Sequence, residues 1–168
     1  YLLRAGADKI SINTNAVKNP KLISDAAKAF GSSCVIISIQ AKRQKDGSWE
    51  AYIENGRERT NLNAIDWAKK VVSLGAEEIL LTSVDFDGTM KGLDHELISA
   101  VTSVVPIPVI ACGGANSIDD IKKASIDSNA NAIALGHMLH FNKNSINNIK
   151  AQLRQENIDT RFTDDHSL

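Results

Sequence analysis

Cysteine is scarce in this chain of 168 residues, which carries only Cys34 and Cys112. Two thiols, each inside an apolar stretch, exclude a disulfide framework and are expected to be buried in a reducing compartment. An excess of either charge is lacking too. Nineteen Lys and Arg face twenty Asp and Glu, a net charge of -1, so there is no basic footprint for a nucleic-acid backbone. No apolar run approaches the roughly 18 residues that cross a bilayer, and no signal-peptide pattern is visible. What remains is a cytoplasmic, soluble globular domain, 43% hydrophobic and 23% charged, with length for one core. The chain opens on Tyr1, and "YLLRAG" reads as the end of a helix. A further N-terminal portion is therefore expected before it.

Short β-branched runs alternate with longer amphipathic stretches. The strand candidates are "DKISIN" (8–13), "CVIISIQ" (34–40), "EILLTSV" (78–84), "IPVIACG" (107–113) and "NAIALG" (131–136). They are continuously apolar, as strands covered on both faces should be. Between them, apolar residues recur at helical spacing. Leu22, Ile23, Ala26, Ala27 and Phe30 form one face, and Ile65, Ala68, Val71 and Val72 another. Gly31 and Gly75 suit helix C-caps, Asn116 and Ser117 a helix start, and a last helix spans about 143 to 156 before a polar tail. Strand–helix units repeated five times make a parallel α/β protein. The recurring plan of helix, Gly-Ala, polar residues and strand, in "RAGADKISIN" and "SLGAEEILLT", favours a (β/α)8 barrel of the TIM type over a doubly wound sheet. A whole barrel needs eight strands and roughly 250 residues. The expectation is one partial barrel over 1–168, holding strands four to eight of eight, with an open sheet that self-associates.

One connection is long. After "SIQAKR" come about twenty residues, "QKDGSWEAYIENGRERTNLN", in which Asn55-Gly56 signals a two-residue hairpin turn. Such a loop on the catalytic face reads as a lid rather than a decorative hairpin.

Catalytic groups of a barrel gather at the C-terminal strand ends. Here those ends carry Asn13 and Thr14, Gln40 and Lys42, Thr82 to Thr89, Cys112 to Ala115, and Gly136 with His137. "ACGGANS" and "ALGHM" are glycine turns on consecutive strands, and their backbone N–H groups can cradle an anion. Asn13 and Thr14 lie roughly opposite. Two cradles across the mouth suit an elongated substrate with a phosphate at each end, although "NTNAVKNP" also reads as a polar lead-in to a helix. In "SVDFDGTMKG" (83–92), Asp85 and Asp87 share a face if the strand extends that far, and can orient hydroxyls, transfer protons or cap a turn. His137 and His140 lack a nearby Cys or carboxylate, so no metal site is expected.

"GADKISINTNAVKNP", "GAEEILLTSVDFDGTMKGLD", "IPVIACGGANS" and "ALGHMLHF", in this order over about residues 2 to 162, resemble the cyclase subunit of imidazole glycerol phosphate synthase. That family works in histidine biosynthesis. The resemblance implies a lyase of the ribulose-phosphate-binding barrel type, without a cofactor. It takes ammonia from a glutaminase partner of the glutamine amidotransferase class and joins it to a bisphosphorylated ribulosyl substrate. By resemblance, Asn13 and Thr14 bind one phosphate, and Asp87, Gly88, Gly113, Gly114, Gly136 and His137 the other. Lys9 and Glu78 match charged residues guarding ammonia entry at the opposite end of the barrel. Thr82 matches a residue lining the catalytic centre.

Two departures from the family matter. One catalytic aspartate belongs to a first strand that this chain does not contain. The other falls in a motif that here reads "SIQAKR", with Gln40 in its place. An amide hydrogen-bonds but exchanges no proton near neutral pH. The chain also resembles cyclase-like barrels of surface-polysaccharide clusters, through "TMKG" and "IACGG". Three expectations follow: a cyclase paired with a glutaminase, an ammonia-conducting partner of a sugar amidotransferase, or an inactive barrel fragment.

Overall fold

A computed structural model describes residues 1–161; the end of the polar tail, 162–168, lies outside the described residues. All five expected strands form, each within a few residues of its expected place: β1 Ile10–Ile12, β2 Val35–Arg43, β5 Glu78–Ser83, β6 Val109–Cys112 and β7 Ala132–Ala134. β3 Trp49–Ile53 and β4 Glu58–Asn63 come from the long connection. The helices are α1 Thr14–Lys18, α2 Lys21–Phe30, α3 Ala64–Ser73, α4 His95–Thr102, α5 Ile118–Ile126, α6 His137–His140 and α7 Ile146–Gln155. "YLLRAG" does end a helical turn, Leu3–Ala5, with Gly6 left-handed after it. The fold is α/β with alternating strand–helix units, the arrangement of part of a TIM barrel. Among the described residues no helix is long and apolar enough to cross a membrane.

β1, β2, β5, β6 and β7 run parallel in chain order. Their registers align one row across the sheet: Gln40 opposite Thr82, Thr82 opposite Cys112, and Cys112 opposite Ala134. Burial alternates along β5, β6 and β2 as far as Lys42. Val35, Ile37, Ile39, Ala41, Ile79, Leu81, Val109 and Ala111 are buried against the helical layer. Ile36, Ser38, Gln40, Leu80, Thr82, Ile110 and Cys112 point to the other face and are only half-buried. The strands are thus not covered on both faces. Their apolar runs continue because Ile36, Leu80 and Ile110 lie toward one end of this half-open concave face, with the polar Gln40 and Thr82 beyond them. The same geometry corrects the expectation for the cysteines, since Cys34 and Cys112 are free and half-buried.

The helical face of α2 buries Ile23 and Ala26 but leaves Phe30 40% exposed. In α3 the face turns slightly from the one expected, onto Ala64, Trp67, Ala68 and Val71. Trp67 supplies more apolar area than Ile65 or Val72 and takes the inward position. Ser117 caps α5 by accepting from Asp120 N at 3.2 Å.

The long connection continues the sheet. β2 pairs with β1 through Val35–Ile37 and, further along the same edge, antiparallel with β3 through Gln40–Arg43. β4 then folds back on β3. The turn has four residues rather than the expected two, because Ile53 pairs with Glu58 and Arg57 N donates to Ile53 O at 3.1 Å. Glu54 (φ 51°) and Asn55 (φ 58°) are both left-handed. Glu54 is drawn into the turn because its N–H donates to Thr14 Oγ1 at 3.1 Å.

Candidate functional site

At the C-terminal rim β5 stops at Ser83, and the chain turns at once, with Asp87 N donating to Ser83 O at 3.0 Å. Asp85 and Asp87 therefore do not share a strand face. They part company in the turn. Asp85 Oδ2 accepts from Arg43 N at 2.8 Å and terminates β2. Asp87 faces a pocket of about 290 Å³ between the ends of β5, β6 and β7. All six residues expected at one phosphate, Asp87, Gly88, Gly113, Gly114, Gly136 and His137, line this pocket.

The glycines serve two different ends. Gly113 (φ +97°) and Gly114 (φ +95°) lie under the loop that follows β5. A Cβ on Gly113 would stand 2.8 Å from Ser83 O, and one on Gly114 would collide with Gly92 O and lie 2.9 Å from Phe86 Cβ. These two let backbone pack on backbone. A Cβ on Gly88 or Gly136 would meet nothing within 4 Å, and Gly136 has an ordinary φ of -117°. Those two leave the pocket open. Sequence reasoning placed Cys112 at this rim without giving it a role, and it did not foresee Met90, His140 and Phe141 among the lining residues. The His137 and His140 rings pack on Phe141, with centroids 4.4 and 4.8 Å away. This aromatic edge forms because "HMLH" coils into one helical turn, too short for periodicity to reveal. Strand alternation puts Cys112 on the pocket side, two residues beyond Ile110. Burial pushes its thiol up, partly offset by a hydrogen bond from Thr82, while the charge of Asp87 raises it further.

Asn13, Thr14 and Gln40 line a separate, shallower pocket at the end of β1, about 380 Å³, under the hairpin tip. Asn13 Nδ2 donates to Ser38 O at 2.9 Å and to Tyr52 O at 3.1 Å. Thr14 Oγ1 donates to Asn13 Oδ1 at 3.3 Å. Both amide protons and the hydroxyl proton are thus spent on holding β1, β2 and the hairpin together. Ser11, Asn15, Ser38 and Gln40 also line this pocket. Gln40 Oε1 is buried without a partner among the described residues. Thr82 stands beside Gln40 in the register and links the two pockets along one row.

At the opposite end of the strands, Lys9 Nζ pairs with Glu78 Oε2 at 2.9 Å. The bond to Glu78 holds the lysine above its ordinary range. Glu78 lies opposite Ile36 at the first turn of the ladder, so the ion pair spans the N-terminal mouth of the concave face.

Residues 1–145 match the family described as histidine biosynthesis protein. The chain is 47% identical over 160 residues to the imidazole glycerol phosphate synthase subunit HisF of Alkaliphilus metalliredigens (strain QYMF), covering 95% of this chain and 64% of that protein. It is 49% identical over 161 residues to the subunit of the same name from Hydrogenobaculum sp. (strain Y04AAS1), at 96% and 64% coverage. Against the one from Prochlorococcus marinus (strain MIT 9515), identity is 51% over 154 residues, at 90% and 60% coverage. The chain thus spans a little under two thirds of the length of these relatives.

Proposed function

This chain belongs to the histidine biosynthesis protein family, and we propose that it carries strands four to eight of the cyclase barrel of imidazole glycerol phosphate synthase. In this reading the cyclase works in the cytoplasm with a glutaminase subunit and accepts a bisphosphorylated ribulosyl substrate. Its products are imidazole glycerol phosphate and aminoimidazole carboxamide ribotide. One phosphate sits in the pocket of Asp87, Gly88, Gly113, Gly114, Gly136 and His137, held by backbone N–H groups. The other sits against the backbone at Asn13 and Thr14. Ammonia enters past the Lys9–Glu78 pair and travels along the half-open face, past Leu80, to the row of Gln40, Thr82 and Cys112. From Glu78 to Thr82 that path is about 13 Å, four strand residues. Thr82 orients the substrate between the two phosphates.

The observation that carries the reading is the convergence on one pocket of six residues from three different strand ends, those of β5, β6 and β7. Gly136 offers the direct test. A side chain there fills the pocket without straining the backbone, whereas Gly114→Val would drive a side chain into Gly92 O. Gly136→Val should weaken inorganic phosphate binding by about tenfold or more in a calorimetric titration, the scale of one charge-assisted hydrogen bond. An unchanged affinity overturns the phosphate assignment.

A second reading is favoured by Gln40, which removes the titratable proton from the position where the family keeps a carboxylate. In it the protein conducts ammonia to a sugar amidotransferase and performs no cyclisation. Ammonia-dependent cyclase turnover separates the two.

A further inference from the structure

The phosphate pocket is bounded by two loops, Val84 to Leu93 and Gly113 to Asn116, and one buried carboxylate outside the pocket joins them. Asp120, in the first turn of α5, is only 8% exposed. It accepts from Leu93 N at 3.0 and 3.2 Å, from Asn116 N at 3.2 Å, and from His95 Nε2 at 2.9 Å. His95, the first residue of α4, is braced on its other side by Ser128 Oγ at 3.3 Å from its Nδ1. Next to this contact Gly92 N donates to Gly114 O at 2.9 Å. Gly92 has φ +107°, and a Cβ on it would lie 3.3 Å from Asp120 Oδ1.

A carboxylate that merely closed the start of α5 would bond the N–H of the cap residue Ser117, whereas Asp120 reaches one residue further back, to Asn116 N. Leu93 and His95 come from the far side of the pocket, more than twenty residues earlier in the chain, and they fill the remaining lone pairs. We propose that Asp120 is a positioning residue for anion binding. Through Leu93, Gly92 and Gly114 it sets the spacing between the loop of Asp87 and Gly88 and the loop of Gly113 and Gly114, and His95 holds it in place. The proposal rests on the phosphate reading of the pocket, although Asp120 itself does not line it.

The test uses three variants of the chain. Asp120→Asn turns one acceptor into an N–H₂ that faces a backbone N–H, so one loop loses its anchor. Gly92→Ala presses on the same carboxylate from the opposite side and serves also if Asp120→Asn fails to fold. Val71→Ala destabilises the core under α3, lines neither pocket and controls for stability alone. Each is titrated calorimetrically with inorganic phosphate well below its unfolding temperature. Amide exchange is followed at Leu93 and Asn116, with Ile79 in the sheet as reference. Asp120→Asn and Gly92→Ala should weaken phosphate binding about fivefold or more, while Val71→Ala keeps the parent affinity. Leu93 and Asn116 should exchange faster at an unchanged Ile79. Affinity within about twofold of the parent in both pocket variants overturns the proposal, as does equal weakening in Val71→Ala. A parent that binds no phosphate overturns the phosphate reading instead. Positioning is then decided by exchange: faster at Leu93 and Asn116 supports it, and unchanged exchange defeats it.

Discussion

At position 40 the chain carries an amide where the proposed cyclase reading calls for a carboxylate, and its Oε1 is buried without a partner among the described residues. An acceptor left unsatisfied when buried costs about 1–3 kcal/mol, so a donor supplied by a bound substrate would be favoured at this position. A carboxylate would accept that donor and also exchange its proton; glutamine can do only the first. In a chain completed with the first three strands of a relative, Gln40→Asp should raise ammonia-dependent turnover by about 10²-fold or more, the scale of one acid–base group. Parent and variant measured side by side decide it. A parent as fast as the variant refutes the idea that Gln40 impairs the chemistry, and background turnover in both favours the ammonia conduit. The residue types at the rim were readable in the sequence because barrels concentrate polar groups and glycine at strand ends. The partners were not. That Asn13 spends its amide on the Ser38 and Tyr52 carbonyls depends on the neighbouring strand β2 and on a hairpin some forty residues away.

The hairpin is the element whose stability is most exposed to pH. β4 carries two extra residues, Thr60 and Asn61, where the register shifts between Ala51 and Tyr52. The Glu50 carboxylate stitches this bulge, accepting from Asn61 N at 2.8 Å and from Arg59 Nε and Nη2 at 3.0 and 2.7 Å. The Arg59 bond holds the Glu50 carboxyl below its ordinary range. A depressed carboxyl contributes stability that is present above the unfolded-state value and lost as pH falls through the lower folded value. Hairpin opening should therefore begin only below the usual glutamate range, and Trp49, whose Nε1 lies 3.3 Å from Asp94 Oδ2, reports it by fluorescence. Glu50→Gln should cost about 1–3 kcal/mol at pH 7 and flatten that acid limb. An unaltered acid limb would show that another carboxylate governs the hairpin. The hairpin was legible from Asn55-Gly56, as were the five strands from their apolar runs. Its bulge was not, because Glu50 lies some ten residues before the backbone it serves. Nor was the early end of β5, which the Ser83 turn decides. α6 was missed because four residues hold barely one helical period.

At the scale of the whole molecule, one side of the sheet has no covering layer among the described residues. Ile36, Leu80 and Ile110 line the concave face and are only half-buried. Among the described residues, β1 pairs only with β2 and β7 only with β6, so both ends of the parallel sheet present unpaired backbone. β7 is three residues long, which limits an edge as a template, but the apolar face beside it is not protected in that way. A face of this kind is removed from water by association, and a stable interface needs roughly 1,200–2,000 Å² in total, an area that two concave sheets can supply to each other. The chain alone should therefore dimerise or form larger species at tens of micromolar, seen as a doubled or greater mass by light scattering. Adding the N-terminal strands of a relative should return it to a monomer, because they would occupy the same concave face and both edges. The discriminating variant is Leu80→Lys, which puts a charge at the centre of the face while leaving the helical side untouched. It should shift the chain toward monomer without lowering the cooperativity of unfolding. A chain that is monomeric at those concentrations before any substitution would mean that the half-buried face is already closed enough by its own side chains, and the prediction fails.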